Sequence, residues 1–533
     1  MTLSDAPASR RGNSGTAILA ASLGALIAQM CLTGQAPLLG LFQTQLGASA
    51  TNLTWLTAAI FVPTAVLELN FGVLGDMFGR RRLIIGGQLL CVIALVIFYF
   101  ADSVTMVAIV SVMLGLGAAA LLPSTLATVA ALSPTPAGRA KAIARWALAI
   151  ALASALGPFS AGLLGQTVGL HAAWTVTLVL AVVGTVFSAM VIPDTSAPEG
   201  RKLDWRGQLL SAVGLLSLIY AVIQGADQGW GAPSVVVCYF VAAAALIAFV
   251  IVELKQRAPM FQVRLLKVPA FRAAALAGLI GMLSFIGFAY SMAIKLGPIN
   301  GQGPLALGLA FVVMQIFPLA LGPFLGRILH RVSPRTLLIL GLVVMAAGEF
   351  WYIALDAYAF GLGALAGPLV LVGIGFLMMF SSVTAAAVNS VPHGSIGMAS
   401  GATSLVRETG QTLGAAVVSA IALTHASALI TSKVAAAHLG AQATAMVAGI
   451  NHAGGGIAVV NASLKFPAAL RDVVNPIAHQ ALDAGFDLGI TVLAVLLLLT
   501  AGVVAITMRG AAARPVTGFD EGQEAVEPVA AAN

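Results

Sequence analysis

Long apolar runs, broken by short polar joints, set the pattern of this chain. From Gly12 to Leu67 there is no Asp, Glu, Lys or Arg. That stretch holds two helices of about 20 residues, each crossing roughly 30 Å of hydrocarbon. The same reading predicts fourteen spans, near 16–41, 53–75, 83–101, 104–131, 144–168, 172–193, 207–226, 233–253, 270–296, 304–328, 336–355, 362–389, 399–430 and 485–508. Only helices satisfy their own backbone hydrogen bonds at membrane depth, so the predicted fold class is an all-α polytopic membrane protein.

The polar joints alternate in sign. Asp102, Asp227 and Asp356 mark tight turns on one side. Basic loops fall on the other: Arg80 to Arg82, then Arg139, Lys141 and Arg145, then Arg201, Lys202 and Arg206, then Lys255 to Arg272, then Arg327, Arg331 and Arg335. Of the 26 Lys and Arg residues, all but Lys295, Lys433, Lys465 and Arg471 fall on that side. The basic side is expected to face the cytoplasm, with both termini inside a bacterial cytoplasmic membrane. That result requires an even number of spans.

Composition narrows the class further. The chain is 59% hydrophobic and 8% charged, with mean hydropathy +1.00, against about 25% charged in a soluble domain. Its net charge of +7 is spread over short loops and does not make a nucleic-acid surface. Cys31, Cys91 and Cys238 lie in apolar segments, which argues against disulfides. His438, His452 and His479 share one loop but lack ligand spacing, so no metal or cofactor is expected. No nucleophile–base set or phosphate loop suggests an enzyme. Arg10 and Arg11 precede an apolar run too long for a cleaved signal, which reads as an uncleaved first span. The segment 431–484 is Ala/Gly-rich, with apolar spacing for short amphipathic helices lying on the outer face; it is also a candidate contact for an external partner. The tail 511–533, with Phe519 as its one aromatic, reads as disordered.

The chain repeats itself. GVLGDMFGRR (Gly72–Arg81) lines up with GRILHRVSPR (Gly326–Arg335), 254 residues on. GLGAAALLPS (Gly115–Ser124) lines up with GIGFLMMFSS (Gly373–Ser382), 258 residues on. Parallel halves follow: a six-helix bundle over 16–206 and another over 269–510, with a two-helix insertion and linker over 207–268 and a short tail over 1–15. Repeated halves are the build of transporters whose substrate site lies near the midplane.

At this point the chain resembles the major facilitator superfamily, within the 14-span drug:proton antiporters of the EmrB/QacA type. The superfamily's loop motif is matched at Gly72, Leu74, Asp76, Gly79, Arg80 and Arg81, between spans 2 and 3. The antiporter motif of span 5 is matched at Gly157, Pro158 and Gly162. Asp204-Trp205-x-Gly207, Gly229-Trp230 and VPHGSIGMASGATSLVRETGQTLG leading through span 13 add to the match. The resemblance implies export of drugs, antibiotics or secondary metabolites by alternating access, with protons as the coupling ion.

Physical chemistry gives these residues roles. Gly72 and Gly79 allow close helix approach and a sharp turn. Asp76 can accept from a facing helix end or from the arginines and latch the cytoplasmic face, with Arg407 in the same gate. Pro158 removes a backbone donor and bends span 5, and Gly157, Ala161 and Gly162 leave a small-residue packing face. The departures from the family matter equally. The resemblance places Cys31 where many relatives carry a span 1 aspartate, and Ser111 and Leu114 where they carry a span 4 arginine and glutamine.

Charges at membrane depth cost about 2.5–3.5 kcal/mol on insertion scales and are functional candidates by default. Glu68 on span 2 and Glu349 on span 11 are the two acids well inside predicted spans, and either could carry the coupling proton. Glu68, Gly72 and Asp76 share one helix face; Glu68 could instead form a latch with Arg407. Glu408, beside Arg407, reads as part of that latch. Gln29, Thr33, Gln35, Trp146, Tyr290, Gln315, Trp351 and Tyr352 are candidates to line a substrate cavity, or to act as polar glue between helices. Lys295 is expected to snorkel to the outer interface. A monomer handling a small-molecule substrate within a lipid bilayer is expected. An exporter or uniporter of neutral or anionic compounds without acid-based coupling stays open as an alternative, and so does a transport-inactive binding or sensor protein.

Overall fold

In a computed structural model of the chain, the described residues are 14–133, 135–196, 203–256, 259, 261–355, 361–390 and 396–508. The tail 511–533, most of 1–15, Arg201, Lys202 and Asp356 lie outside them. Every regular element among the described residues is a helix, and 14 stretches are long and apolar enough to cross a membrane. That is the number read from the apolar pattern.

α1 (Ser14–Thr33) runs through a short turn into α2 (Leu39–Leu46), and together they form the first span. There follow α3 (Ala50–Phe78), α4 (Arg80–Phe98), α5 (Val104–Ala131), α6 (Pro136–Thr167) and α7 (Thr175–Val191). The inserted pair is α8 (Trp205–Gln228) and α9 (Pro233–Lys255). The remainder is α10 (Pro269–Ile294), α11 (Pro304–Arg331), α12 (Pro334–Ile353), α13 (Leu362–Asn389), α14 (Ile396–Ala436), α15 (Ala441–Ser463) and α16 (Ala468–Thr507). Local chemistry fixes many starts. Prolines open α6, α9, α10, α11 and α12, where the missing N–H would have had no partner. Ser49, Ser103, Thr135, Asp204 and Ser333 cap α3, α5, α6, α8 and α12 by accepting from backbone N–H groups of the first turn.

Fourteen crossings return α16 to the face from which α1 starts. We call that the terminal face and the opposite one the far face. α1, α3, α4, α5, α6 and α7 pack on one another, and α10 to α14 pack with α16. The two groups meet along two seams, α6 against α11 and α3 against α14. α8 covers the second seam through a small cluster of Ala58 and Ala65 on α3, Leu215, Ile219 and Ile223 on α8, and Ala416 on α14. α9 packs on α8 and exposes most of its apolar surface, including Val237, Phe240, Ile247 and Ile251. α10 is buried along almost its whole length.

The sequence repeat has a packing counterpart. A Cβ on Gly115 of α5 would strike the Ile60 carbonyl of α3, and a Cβ on Gly373 of α13 would strike the Met314 carbonyl of α11. The glycines are 258 residues apart and the carbonyls 254, which are the two offsets of the repeat. The close backbone approach that requires glycine is therefore made twice, once in each half.

The segment 431–484 departs from its expected form. α14 continues to Ala436 and α16 already begins at Ala468, so these helices reach 41 and 40 residues. At 1.5 Å per residue each is about 60 Å long, roughly twice the hydrocarbon thickness. Both therefore extend beyond the far face, with α15 packed between them and broken at Gly455, whose φ is +68°. α15 also touches α3, α8 and the turn Lys295–Ile299 at the far face, and Val447, Ile457, Val459 and Val460 are buried.

Candidate functional site

The turn between α3 and α4 is built on Gly79, which has φ +101° and faces the Asp194 side chain, so a side chain there would be strained and crowded. Arg80 donates to Asp76 at 2.7 and 3.1 Å and to the Ala127 carbonyl of α5 at 3.3 Å. Arg81 donates to the Ala189 carbonyl at the end of α7, at 2.6 Å. Its counterpart in the repeat, Arg335, donates to the Ala505 carbonyl at the end of α16, also at 2.6 Å. Arg81 thus ties the turn to its own half, and Arg335 repeats the bond in the other. The 254-residue offset pointed to Arg335; nothing local pointed to Asp194.

Gly157 and Gly162 line opposite contacts of α6. Gly157 lies against Met30 and Thr33 of α1, and Gly162 against Pro304 and Gly308 of α11. Gly308 in turn faces the Pro158 carbonyl. The Gly-Pro segment therefore sits in the α6–α11 seam, near the far face. More ties lie toward that face. Gly40 of α2 abuts Gly297, in the turn of π-helix Lys295–Ile299 that ends α10. Gln43 donates to Asn461 at 3.1 Å. Thr54 of α3 bonds Tyr290 of α10 at 2.9 Å and Ser419 of α14 at 2.7 Å, with all three buried.

The predicted cavity residues do not form one site. Gln29 donates to Ser154 at 3.0 Å, joining α1 to α6, and Thr33 donates to the Gln29 carbonyl within α1. Gln35 accepts from Ser111 at 2.8 Å, joining the end of α1 to α5. Trp146 donates to Thr125 at 3.0 Å, joining α6 to α5. Gln315 is buried on α11. Trp351 is 47% exposed, and its ring abuts Gly367 of α13. Tyr352, its neighbour, points the opposite way and is buried against Phe288. Consecutive helical residues diverge by about 100°, which separates this pair. Cys31 is buried in the core and Ser111 bonds Gln35, so both positions where the family's charges were expected have become packing contacts.

The acids separate more sharply. Glu68 on α3 lies across the α3–α14 seam within electrostatic reach of Arg407 and Glu408. It does not form the expected latch with Arg407. Arg407 instead donates to Thr384 at 3.0 Å and Ser404 at 3.2 Å and stacks over the Phe380 ring at 4.5 Å, all within its own half. One oxygen each of Glu68 and Glu408 is buried without a hydrogen-bond partner. Glu349 is fully buried inside the second half; it accepts from Ser284 at 2.6 Å through one oxygen, and the other has no partner.

Lys295 does not snorkel. It is 4% exposed and pairs with Asp483 at 2.7 Å and Asp487 at 2.6 Å, both from α16. A last span that starts at 485 contains Asp487 but leaves out Asp483, whereas α16 begins at Ala468 and carries both. Their i, i+4 spacing puts both on one helix face, a signal that appears once the helix is extended.

A family model of the Major Facilitator Superfamily matches residues 21–415. The chain belongs to that superfamily. It is 29% identical over 464 residues to the multidrug efflux pump LfrA of Mycolicibacterium smegmatis, covering 86% of this chain and 90% of LfrA. It is 28% identical over 393 residues to the multidrug resistance protein Stp of Mycobacterium tuberculosis, covering 73% and 72%. With the tetracenomycin C resistance and export protein of Streptomyces glaucescens it shares 24% over 500 residues, covering 94% and 92%. Among solved structures, the peptide transporter POT aligns with TM-score 0.58 and 14% identity over 93% of this chain and 96% of that one. The human organic anion transporter MFSD10 aligns with TM-score 0.55 and 14% identity over 92% and 99%. These two likenesses concern the major facilitator fold alone.

Proposed function

We propose that this protein exports small amphipathic or hydrophobic compounds, such as drugs, antibiotics or secondary metabolites, across the bacterial cytoplasmic membrane by alternating access driven by the proton gradient. The terminal face, with its basic loops, is then cytoplasmic, and the far-face ties Gly40–Gly297, Gly162–Pro304 and Thr54–Tyr290–Ser419 form the closed outer gate. The protein works as a monomer in the bilayer, without a cofactor. Relatives named for multidrug efflux and antibiotic export support the substrate class.

The observation that carries the coupling is the position of Glu68. It lies within electrostatic reach of Arg407 and Glu408 across a seam that must part for access to alternate. Two acids and one arginine leave one negative charge in excess. A proton balances that charge while the seam is closed, and hydration replaces the proton when the seam parts. Glu349 lies inside one half and has no such link to the seam.

Ethidium uptake into everted membrane vesicles tests the reading. Uptake that collapses with an uncoupler in the wild type and loses its gradient dependence in Glu68→Gln is expected. Wild-type gradient dependence in Glu68→Gln would exclude Glu68 as the coupling acid. Gradient-independent flux in the unmodified protein would favour the exporter without acid-based coupling, to which Cys31 and Ser111 point.

A further inference from the structure

A second group of charges lies far from Glu68, at the far-face end of the second half. Lys295, the first residue of the π turn Lys295–Ile299, sits between Asp483 and Asp487 of α16 at 2.7 and 2.6 Å. The contact to Asp487 is a hydrogen bond; the contacting oxygen of Asp483 lacks hydrogen-bond geometry and is buried. The Lys295 side chain is 5% exposed, whereas those of Asp483 and Asp487 are 18% and 27% exposed. Tyr352 closes the group: its ring lies 5.5 Å from the ammonium, its hydroxyl is buried with no partner, and both aspartates act on it electrostatically.

The charge count does not balance. Among the described residues, Lys295 is the one cation within 4 Å of either aspartate. The helices packed on α16 carry the titratable groups Tyr290 on α10, Glu349 and Tyr352 on α12, His425 and Lys433 on α14 and His452 on α15; on α16 itself, His479 lies one turn before Asp483 and interacts with it electrostatically. Lys433 is engaged with Gln480, and Tyr290 with Thr54 and Ser419. Lys295 is buried and the aspartates are partly withdrawn from water, and one net negative charge held there carries a desolvation cost that a single added proton removes.

The π turn connects this group to the outer seam. Lys295 begins the turn, its carbonyl accepts from the Asn300 backbone at 3.1 Å, and Gly297 two residues on abuts Gly40 of the first half. π-Helical turns inside α-helices recur at functional positions. The ion cluster and the interhalf contact thus share one short piece of backbone.

We propose that Lys295, Asp483 and Asp487 form a second proton-binding site, which takes up one proton when the far-face seam closes over it and releases it when the seam opens. The proton passes between water at the far face and an aspartate oxygen, and Lys295 anchors the π turn against α2. Closure and proton uptake are then linked, so the closed seam is favoured as the pH falls and the open seam as it rises. This assignment rests on the transporter reading but not on Glu68.

Spin labels report the seam directly. Gln45 on α2 and Gln302 beyond the π turn are exposed on opposite sides of it. With Cys31, Cys91 and Cys238 replaced by alanine and nitroxides attached at 45 and 302, distances are measured by pulsed electron resonance in nanodiscs from pH 5 to 8. The unmodified cluster is expected to give a short separation at pH 5 and a shift to longer separations at pH 8. Asp483→Asn and Asp487→Asn each leave a neutral one-to-one pair, which keeps folding in reach, and each should stay short throughout. Lys295→Arg should keep the pH dependence. A pH-independent separation with the cluster intact, or asparagine variants that follow the unmodified pH curve, overturns the proposal. Loss of coupling in Glu68→Gln vesicles leaves this distance curve untouched, so the two readings fail separately.

Discussion

Two clusters with the same charge count occupy opposite places in this transporter. Glu68, Arg407 and Glu408 meet between the halves, and Lys295, Asp483 and Asp487 meet inside one half. In the first, the cation is held by neutral partners and an aromatic ring of its own half, and no salt bridge crosses the seam. In the second, the cation is gripped by both acids at 2.6–2.7 Å. A cluster whose members belong to separable bodies must not be bound tightly, since a tight cross-seam pair would oppose each opening. A cluster within one body can be tight, because the body moves as a unit and only its cover changes.

The contrast can be broken at the cation. Lys295→Met leaves two acids at the far end of the second half without a cation, and a loss of about 3–5 kcal/mol is expected, seen as reduced thermal stability of the purified protein. Arg407→Met removes a cation that makes no ion pair within 4 Å and should reduce stability less. Equal losses would mean that the two clusters are built alike.

The seams offer the next largest effect. Gly162→Val places a branched side chain against the Pro304 backbone, and overpacking of this kind costs about 1–3 kcal/mol. It should push α6 from α11, lengthen the distance between spin labels at 45 and 302, and lower export. Gly502, with nothing near its Cβ position, is the control and should tolerate alanine. At the two candidate acids, Glu68→Gln is expected to reduce gradient-driven ethidium transport about tenfold, which corresponds to ~1.4 kcal/mol, and Glu349→Gln much less. The reverse order would move coupling from the seam into the second half. Smallest is Thr54→Val, which deletes the bridge between Tyr290 and Ser419; a loss of about 0.5–1.5 kcal/mol should appear as a modest rise in the far-face-open population in the same spin-label distances.

Much of the site was legible at the level of motif and little at the level of partner. The turn at Gly72–Arg82 announced itself, and Gly79 has the positive φ that its place requires. Arg81 was assigned to a gate yet bonds the end of α7, because a motif records which residues are present and not which carbonyl lies opposite. Trp351 and Tyr352 stand side by side among the cavity candidates, yet the helix exposes one and buries the other. Lys295 was assigned to the interface because its acids stand nearly 200 residues away in sequence.

What the sequence determined alone is whatever depends on local physics: apolar length for spans, loop charge for an expected orientation, proline and cap residues for helix starts, and glycine spacing for the duplicated halves. Hydrocarbon leaves the backbone no option but helix, so those features need no knowledge of distant residues. The tertiary structure decided the pairings. Which acid faces which base depends on the rotation and depth of helices far apart along the chain. Those are set by small-residue contacts such as Gly115 on Ile60 and Gly162 on Pro304, where packing geometry rather than hydrophobicity selects the neighbour.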